Sequence, residues 1–171
     1  MTTNIFYRSN KNYEQWAPLF LRLAIGFGFM VHGWAKLSTG TPAGFEKLLT
    51  LLGVPLTHFT AWATSVIELA GGFAILLGFS VGIAAIPLIG VMLVAMFSIQ
   101  INYGFSSVKT IGLTSRGPQF GPPGYEINLL YISGLISLIL TGAGICSVDS
   151  LLANKKRQVK SAGKKRILSN Y

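Results

Sequence analysis

Four stretches of about twenty mostly apolar residues constrain this chain more than any other feature, spanning residues 17–37, 57–79, 81–103 and 127–146. The hydrocarbon core of a bilayer is about 30 Å thick and a helix rises about 1.5 Å per residue, so each stretch is long enough to cross. The first has Trp16 as an interfacial aromatic and Pro18 in a helical first turn, where proline is tolerated. A polar segment precedes it and it contains Arg22 and His32, which reads as a retained helix and not a cleaved signal peptide. Only "GFSVG" separates the second and third stretches, so they form a tight hairpin. A chain that is 51% hydrophobic and 11% charged, with a mean hydropathy of +0.55, is too apolar for an ordinary soluble domain. The fold class is all-α, an integral membrane four-helix bundle. Residues 1–15 form a polar N-terminal segment, 16–152 the four-helix domain and 153–171 a basic tail.

An even number of spans puts both termini on one side. The terminal side carries nine Lys/Arg, namely Arg8, Lys11 and the seven from Lys155 to Arg166, against Lys36, Lys47, Lys109 and Arg116 on the other. The positive-inside rule therefore expects cytoplasmic termini in a bacterial inner membrane. The tail reads as a disordered topology anchor that touches anionic lipid, and its local charge is no sign of nucleic-acid binding. A lone cysteine, Cys146, excludes an internal disulfide and any CxxC motif.

Two helical stripes locate a site. Arg22, Gly26, Phe29, Gly33 and Lys36 share one face of the first helix, and Ala61, Thr64, Ser65, Glu68, Gly71 and Gly72 share one face of the second. Membrane helices associate through small residues, so these stripes face inward, with Gly26, Gly33, Gly71 and Gly72 as packing positions. Glu68 then lies at mid-membrane, where an isolated charge costs several kcal/mol. Arg22 is the expected partner, on the neighbouring antiparallel stripe, with His32 as the competitor. Further polar groups, Lys36, Gln100, Glu126 and Tyr131, gather toward the far ends of the helices, which suggests an intramembrane polar cavity opening outward. No spacing such as HxxxH or HxxE accompanies His32 or His58, so no metal or haem site is expected. The 106–126 loop combines Pro-Pro, glycines and Phe120, and Phe120 is expected to fold back over the bundle mouth.

The segments "LRLAIGFGFMVHGWAKL", "GF…LLGVP", "IELAGGFAILLGF", "GYEINLLYISGL" and "GAGICSVDSLL" together resemble the DoxX family of small four-helix bacterial membrane proteins. The resemblance covers about residues 17 to 152. Arg22, His32, Gly33, Lys36, Glu68, Gly72, Gly78, Glu126 and Asp149 fall on positions that recur in that family, while Ile145 and Cys146 depart from it. The resemblance implies an inner-membrane protein with oxidoreductase associations, since relatives include a subunit of a thiosulfate:quinone oxidoreductase.

Three functions compete. The first is a membrane subunit of a quinone-linked redox complex, with no intrinsic cofactor, a quinone as ligand, and electrons from a partner subunit, because no flavin, iron–sulfur or haem motif is present. The second is a binding or transport protein for a small apolar or amphipathic molecule. The third is an assembly scaffold without catalysis. Membrane lipid is a partner in all three, and a homo-oligomer is compatible with each.

Overall fold

The computed structural model describes residues 14–38 and 42–168; the N-terminal segment before Glu14 lies outside them. Six α-helices follow one another: α1 (Ala17–Ser38), α2 (Pro42–Leu51), α3 (Thr57–Leu77), α4 (Val81–Ser98), α5 (Glu126–Thr141) and α6 (Val148–Leu168). A 3-10 turn (Gln100–Tyr103) and a two-stranded antiparallel hairpin, β1 (Thr110–Thr114) and β2 (Gly117–Phe120), fill the α4–α5 connection. Helices α1, α3 and α4 are long and apolar enough to cross a membrane, and α5 is a shorter apolar helix. These four form the bundle of an integral membrane protein, and their outward faces expose large apolar side chains such as Phe20, Phe27, Trp34, Ile83 and Leu130.

The closest seam in the bundle joins α1 to α3, and glycine makes it. A methyl placed on Gly26 would lie 2.7 Å from the Leu76 backbone nitrogen, one on Gly33 2.6 Å from that of Leu69, and one on Gly72 2.8 Å from the Gly26 carbonyl oxygen. Backbone meets backbone there, so no larger residue fits without moving a helix. Gly71 turns toward α4, where a methyl would lie 3.1 Å from the Leu88 side chain. Gly78 ends α3 with φ +68 and Ser80 opens α4 with φ 46, which folds the two helices into the tight hairpin expected from "GFSVG".

The apolar core of Ile25, Phe29, Ile75, Val81, Ala85, Leu88, Leu135 and Leu138 occupies the half of the bundle next to that hairpin. Along the inner stripe of α4, Val81, Ala85 and Leu88 are buried, whereas Met92, Ala95 and Met96, further along, are only half-buried. The bundle is therefore tight at the end carrying the chain termini and looser at the end carrying the long loops. Gln15 and Ile145 meet at the tight end through the hydrogen bond from the Ile145 N–H to the Gln15 carbonyl, 3.2 Å.

Three expectations change. The fourth span stops at Thr141 and not at residue 146, and the third stops at Ser98. The basic tail is not disordered but forms α6 as far as Leu168. Phe120 sits in β2 with 58% of its surface exposed, so it does not fold back over the bundle. The loop is instead pinned at its base. The N–H groups of Gly124, Tyr125 and Glu126 donate to the carbonyls of Ser106, Gly104 and Phe105, and Phe105 and Tyr125 meet edge to face.

Candidate functional site

Arg22 and Glu68 are 1% and 2% exposed, and the structure keeps them apart. At the terminal end, Arg22 donates through Nε to the Ile75 carbonyl (3.1 Å), through Nη1 to Ala143 (2.9 Å) and Ile145 (3.2 Å), and through Nη2 to Leu76 (2.9 Å) and Cys146 (3.1 Å). All five guanidinium N–H groups are thus satisfied by backbone oxygens. Two of these belong to the last turn of α3, whose carbonyls have no partner within the helix. The other three belong to the irregular 142–147 segment, where Gly142, Gly144 and Cys146 all have positive φ. Helix α5 ends at Thr141, and the non-helical chain after it lies level with Gln15 and Pro18 at the start of α1 and with Gly78 at the end of α3. Buried non-helical backbone needs donors from protein, and Arg22 supplies them. A methyl on Gly78 would lie 2.7 Å from the Arg22 Cζ, so that position needs glycine for space as well as for φ.

The partner of Glu68 is Lys36. Its Nζ lies 2.7 Å from both Oε1 and Oε2, with the Lys36 side chain 23% and the Glu68 side chain 3% exposed. Helix geometry explains why Lys36 wins over Arg22. Gly33 faces Ser65 and Gly26 faces Gly72 across the seam, which sets Glu68 between them and Arg22 nearer to Leu76. Side chains on a helix lean toward its N-terminus. In this antiparallel pair Lys36 and Glu68 lean toward each other, while Arg22 leans away toward the terminal end. Phe45 of α2 places its ring 4.6 Å from the Lys36 Nζ, a cation–π contact over the pair. Glu46 of the same helix holds His58 at the start of α3, 3.0 Å from its Nδ1, in an exposed pair. An amphipathic α2, with Leu49 buried, thus covers the loop end of the α1–α3 seam.

The other expected site residues separate. His32 is exposed on the outward face of α1, so it is neither a partner of Glu68 nor a member of an inward cluster. Glu126 accepts the Ser107 N–H at 3.0 Å and fastens the loop to the start of α5. Tyr131 lies edge to face with Phe29, ring centres 5.2 Å apart, and its hydroxyl packs into the space beside Gly28. Gln100 belongs to the 3-10 turn and not to α4. Its Oε1 is buried without a hydrogen-bond partner among the described residues, as is Oδ1 of Asn128. Asn128 is 1% exposed, and its Nδ2 donates to the Met92 carbonyl at 3.2 Å. Since Gly71 faces Leu88, Met92 one turn on lies at the depth of Glu68, and so does Asn128. Among the described residues, two hollows are a surface furrow of about 260 Å³ lined by Met30, Val66, Leu69, Ala70 and Phe73, and one of about 430 Å³ at the terminal end, lined by Gln15, Gly144, Ile145, Cys146, Ser150 and Asn154; neither gathers these groups.

Two groups at the terminal end escaped the stripe argument because they lie outside the spans. Asp149 accepts the N–H groups of Ser80 (2.9 Å) and Val81 (3.3 Å) and so caps α4 from across the bundle. Its own N–H donates to the Gly78 carbonyl at 3.0 Å. Buried Ser147 accepts the Ser150 N–H at 3.1 Å and caps α6. The signal for both was the "SVDS" following an apolar span, a capping sequence that opens a new helix.

Comparison with known proteins places this architecture. The profile of the DoxX family matches residues 17–101, which include Arg22, Lys36 and Glu68. The chain is 30% identical over 148 residues to the inner membrane protein YqjF of Escherichia coli K12, an alignment that covers 85% of this chain and 98% of that protein. It is 26% identical over 156 residues to a Haemophilus influenzae protein described as uncharacterized, covering 84% of this chain and 98% of the relative. No solved structure matches. The chain therefore belongs to the DoxX family of membrane proteins.

Proposed function

We propose that the chain is a membrane-embedded binding subunit of a quinone-linked redox complex, taking a small amphipathic molecule into the loop-end half of its bundle. The observation that carries this reading is the Lys36–Glu68 pair, at the depth of the unpartnered Asn128 Oδ1, in the half where the inner stripe of α4 is only half-buried. A carboxylate and an ammonium held together offer an acceptor and a donor to the polar end of a ligand. An amide oxygen lacking a donor suits a ligand hydroxyl, such as that of a hydroquinone. Electrons would reach such a ligand from a partner subunit. The apolar furrow beside Leu69, open to the surrounding acyl chains, supports a second reading: binding or transport of a lipid-like molecule without electron transfer.

Native mass spectrometry of the detergent-purified protein separates these. A co-purified isoprenoid quinone or quinol that is lost in the Lys36→Leu, Glu68→Leu double variant supports the first reading. A bound lipid or other metabolite supports the second. A ligand-free protein in every detergent overturns both and leaves the scaffold. We place the termini in the cytoplasm on the Lys/Arg excess alone; a reporter fused after Tyr171 that is active only outside the cytoplasm would reverse this.

A further inference from the structure

Helix α6 is fastened at its root and unpartnered beyond it. Arg22 grips the carbonyls of Ile145 and Cys146, Asp149 is bonded to Gly78, Ser80 and Val81, and Ser147 caps the first turn. From Leu151 to Val159, by contrast, every side chain is exposed. These are not uniformly polar. Val148, Leu151, Leu152, Lys155 and Val159 recur at the i, i+3, i+4, i+7, i+11 spacing of one helical face, and Leu151 is 68% and Val159 67% exposed. Asn154 and Arg157 fall outside that stripe, and Lys155 and Lys156 lie within or beside it, where long stems let ammonium groups reach past apolar neighbours. The sequence goes on to add Lys160, Lys164, Lys165 and Arg166.

A leucine and valine stripe bordered by lysines, on a helix rooted where the last span ends, fits one occupant. We infer that α6 is an interfacial helix that lies on the membrane surface at the side of the termini and docks onto anionic phospholipid headgroups. Its apolar stripe enters the headgroup boundary, and its lysines and arginine pair with lipid phosphates. An acidic protein partner would meet the charges but would leave Leu151 and Val159 in water. The rigid root makes the docking a property of the folded protein: the Arg22 and Asp149 bonds set the direction in which α6 leaves the bundle.

The test uses the full chain in a Cys146→Ser background with a single cysteine at Val159 carrying an environment-sensitive dye. The protein is reconstituted into vesicles of phosphatidylcholine, or of phosphatidylcholine and phosphatidylglycerol in equal parts, each with brominated chains as quenchers. The inference expects strong quenching in the anionic vesicles, at least about twofold above the neutral ones, falling as salt is raised and surface charge is screened. Replacing Lys155, Lys156 and Arg157 together by Gln should shrink the difference between vesicles while leaving the bundle folded, because none of the three touches the root. Equal quenching in both vesicle types would overturn the recognition of anionic lipid. An unquenched dye in both would overturn the interfacial placement altogether. A dye left unquenched by the brominated chains whose emission shifts when a soluble acidic protein is added would assign the surface to a protein partner instead.

Discussion

The two ends of this bundle each bury a charged side chain on a glycine-bearing seam, and they treat it in opposite ways. At the terminal end Arg22 spends its hydrogen bonds on backbone carbonyls, five of them, from two different stretches of chain, with the Asp149 carboxylate near enough to act on its charge. At the loop end Glu68 faces the Lys36 ammonium, on a side chain that is itself partly exposed. The first arrangement holds a helix end to an irregular segment, giving donors to buried backbone oxygens of both. The second could be dissolved by one proton or one competing ligand without unfastening any backbone. The core follows the same division, since α4 buries its inner stripe beside Arg22 and leaves it half-exposed beside Glu68. A buried charge in a membrane protein is therefore informative only through what it faces: carbonyls mean architecture, and a lone counter-charge in a loosened layer means a site.

The largest effect that would break this comparison lies at Arg22. Arg22→Leu strips the side-chain donor from five carbonyls, of which Ile75 keeps only the Gly78 N–H, and Arg22→Lys offers three N–H groups at most, so each should cost about 3–5 kcal/mol. The expected outcome is a collapse in monodisperse yield and a large fall in the thermal midpoint in detergent. A well-folded Arg22→Leu protein would erase the distinction between the two ends.

At the loop end, Glu68→Gln or Lys36→Leu should cost less, about 1–3 kcal/mol, because Lys36 is partly solvated. The double replacement with Leu should recover most of that loss, as measured by a double-mutant cycle on unfolding, while ligand retention stays abolished. Additive losses would show that the pair does not act as a unit. A smaller effect is expected for Asp149→Asn, which weakens the cap on α4 by about 1 kcal/mol; it should lower stability and leave the bound ligand in place. The smallest belongs to Glu46→Gln. The Glu46–His58 pair is exposed, so its loss should shift stability by less than about 0.5 kcal/mol, and a larger shift would make α2 a firmer cover than its contacts suggest.

Much of this was legible from residue order. The spans, the hairpin at "GFSVG" and the inward stripes follow from length and periodicity, and the glycines that form the α1–α3 seam are those on the stripes. The pairing of Glu68 was not, although its signal was there. The seam glycines set the register, and the lean of side chains toward each helix N-terminus then favours Lys36 over Arg22. The helical tail was hidden because seven basic residues in twelve resemble a solvated charge run, and the outward position of His32 because one polar residue does not say which edge of a stripe it occupies.

By itself the sequence determined that the chain crosses a membrane as a helical bundle, because apolar length and the cost of unpaired backbone in lipid allow little else. Only the tertiary structure decided what the buried charges do. Arg22 reaches carbonyls more than fifty and more than a hundred and twenty residues away, on a helix end and an irregular segment that meet only in the fold. Such bonds depend on where helix ends arrive in space, and a local pattern holds no record of that.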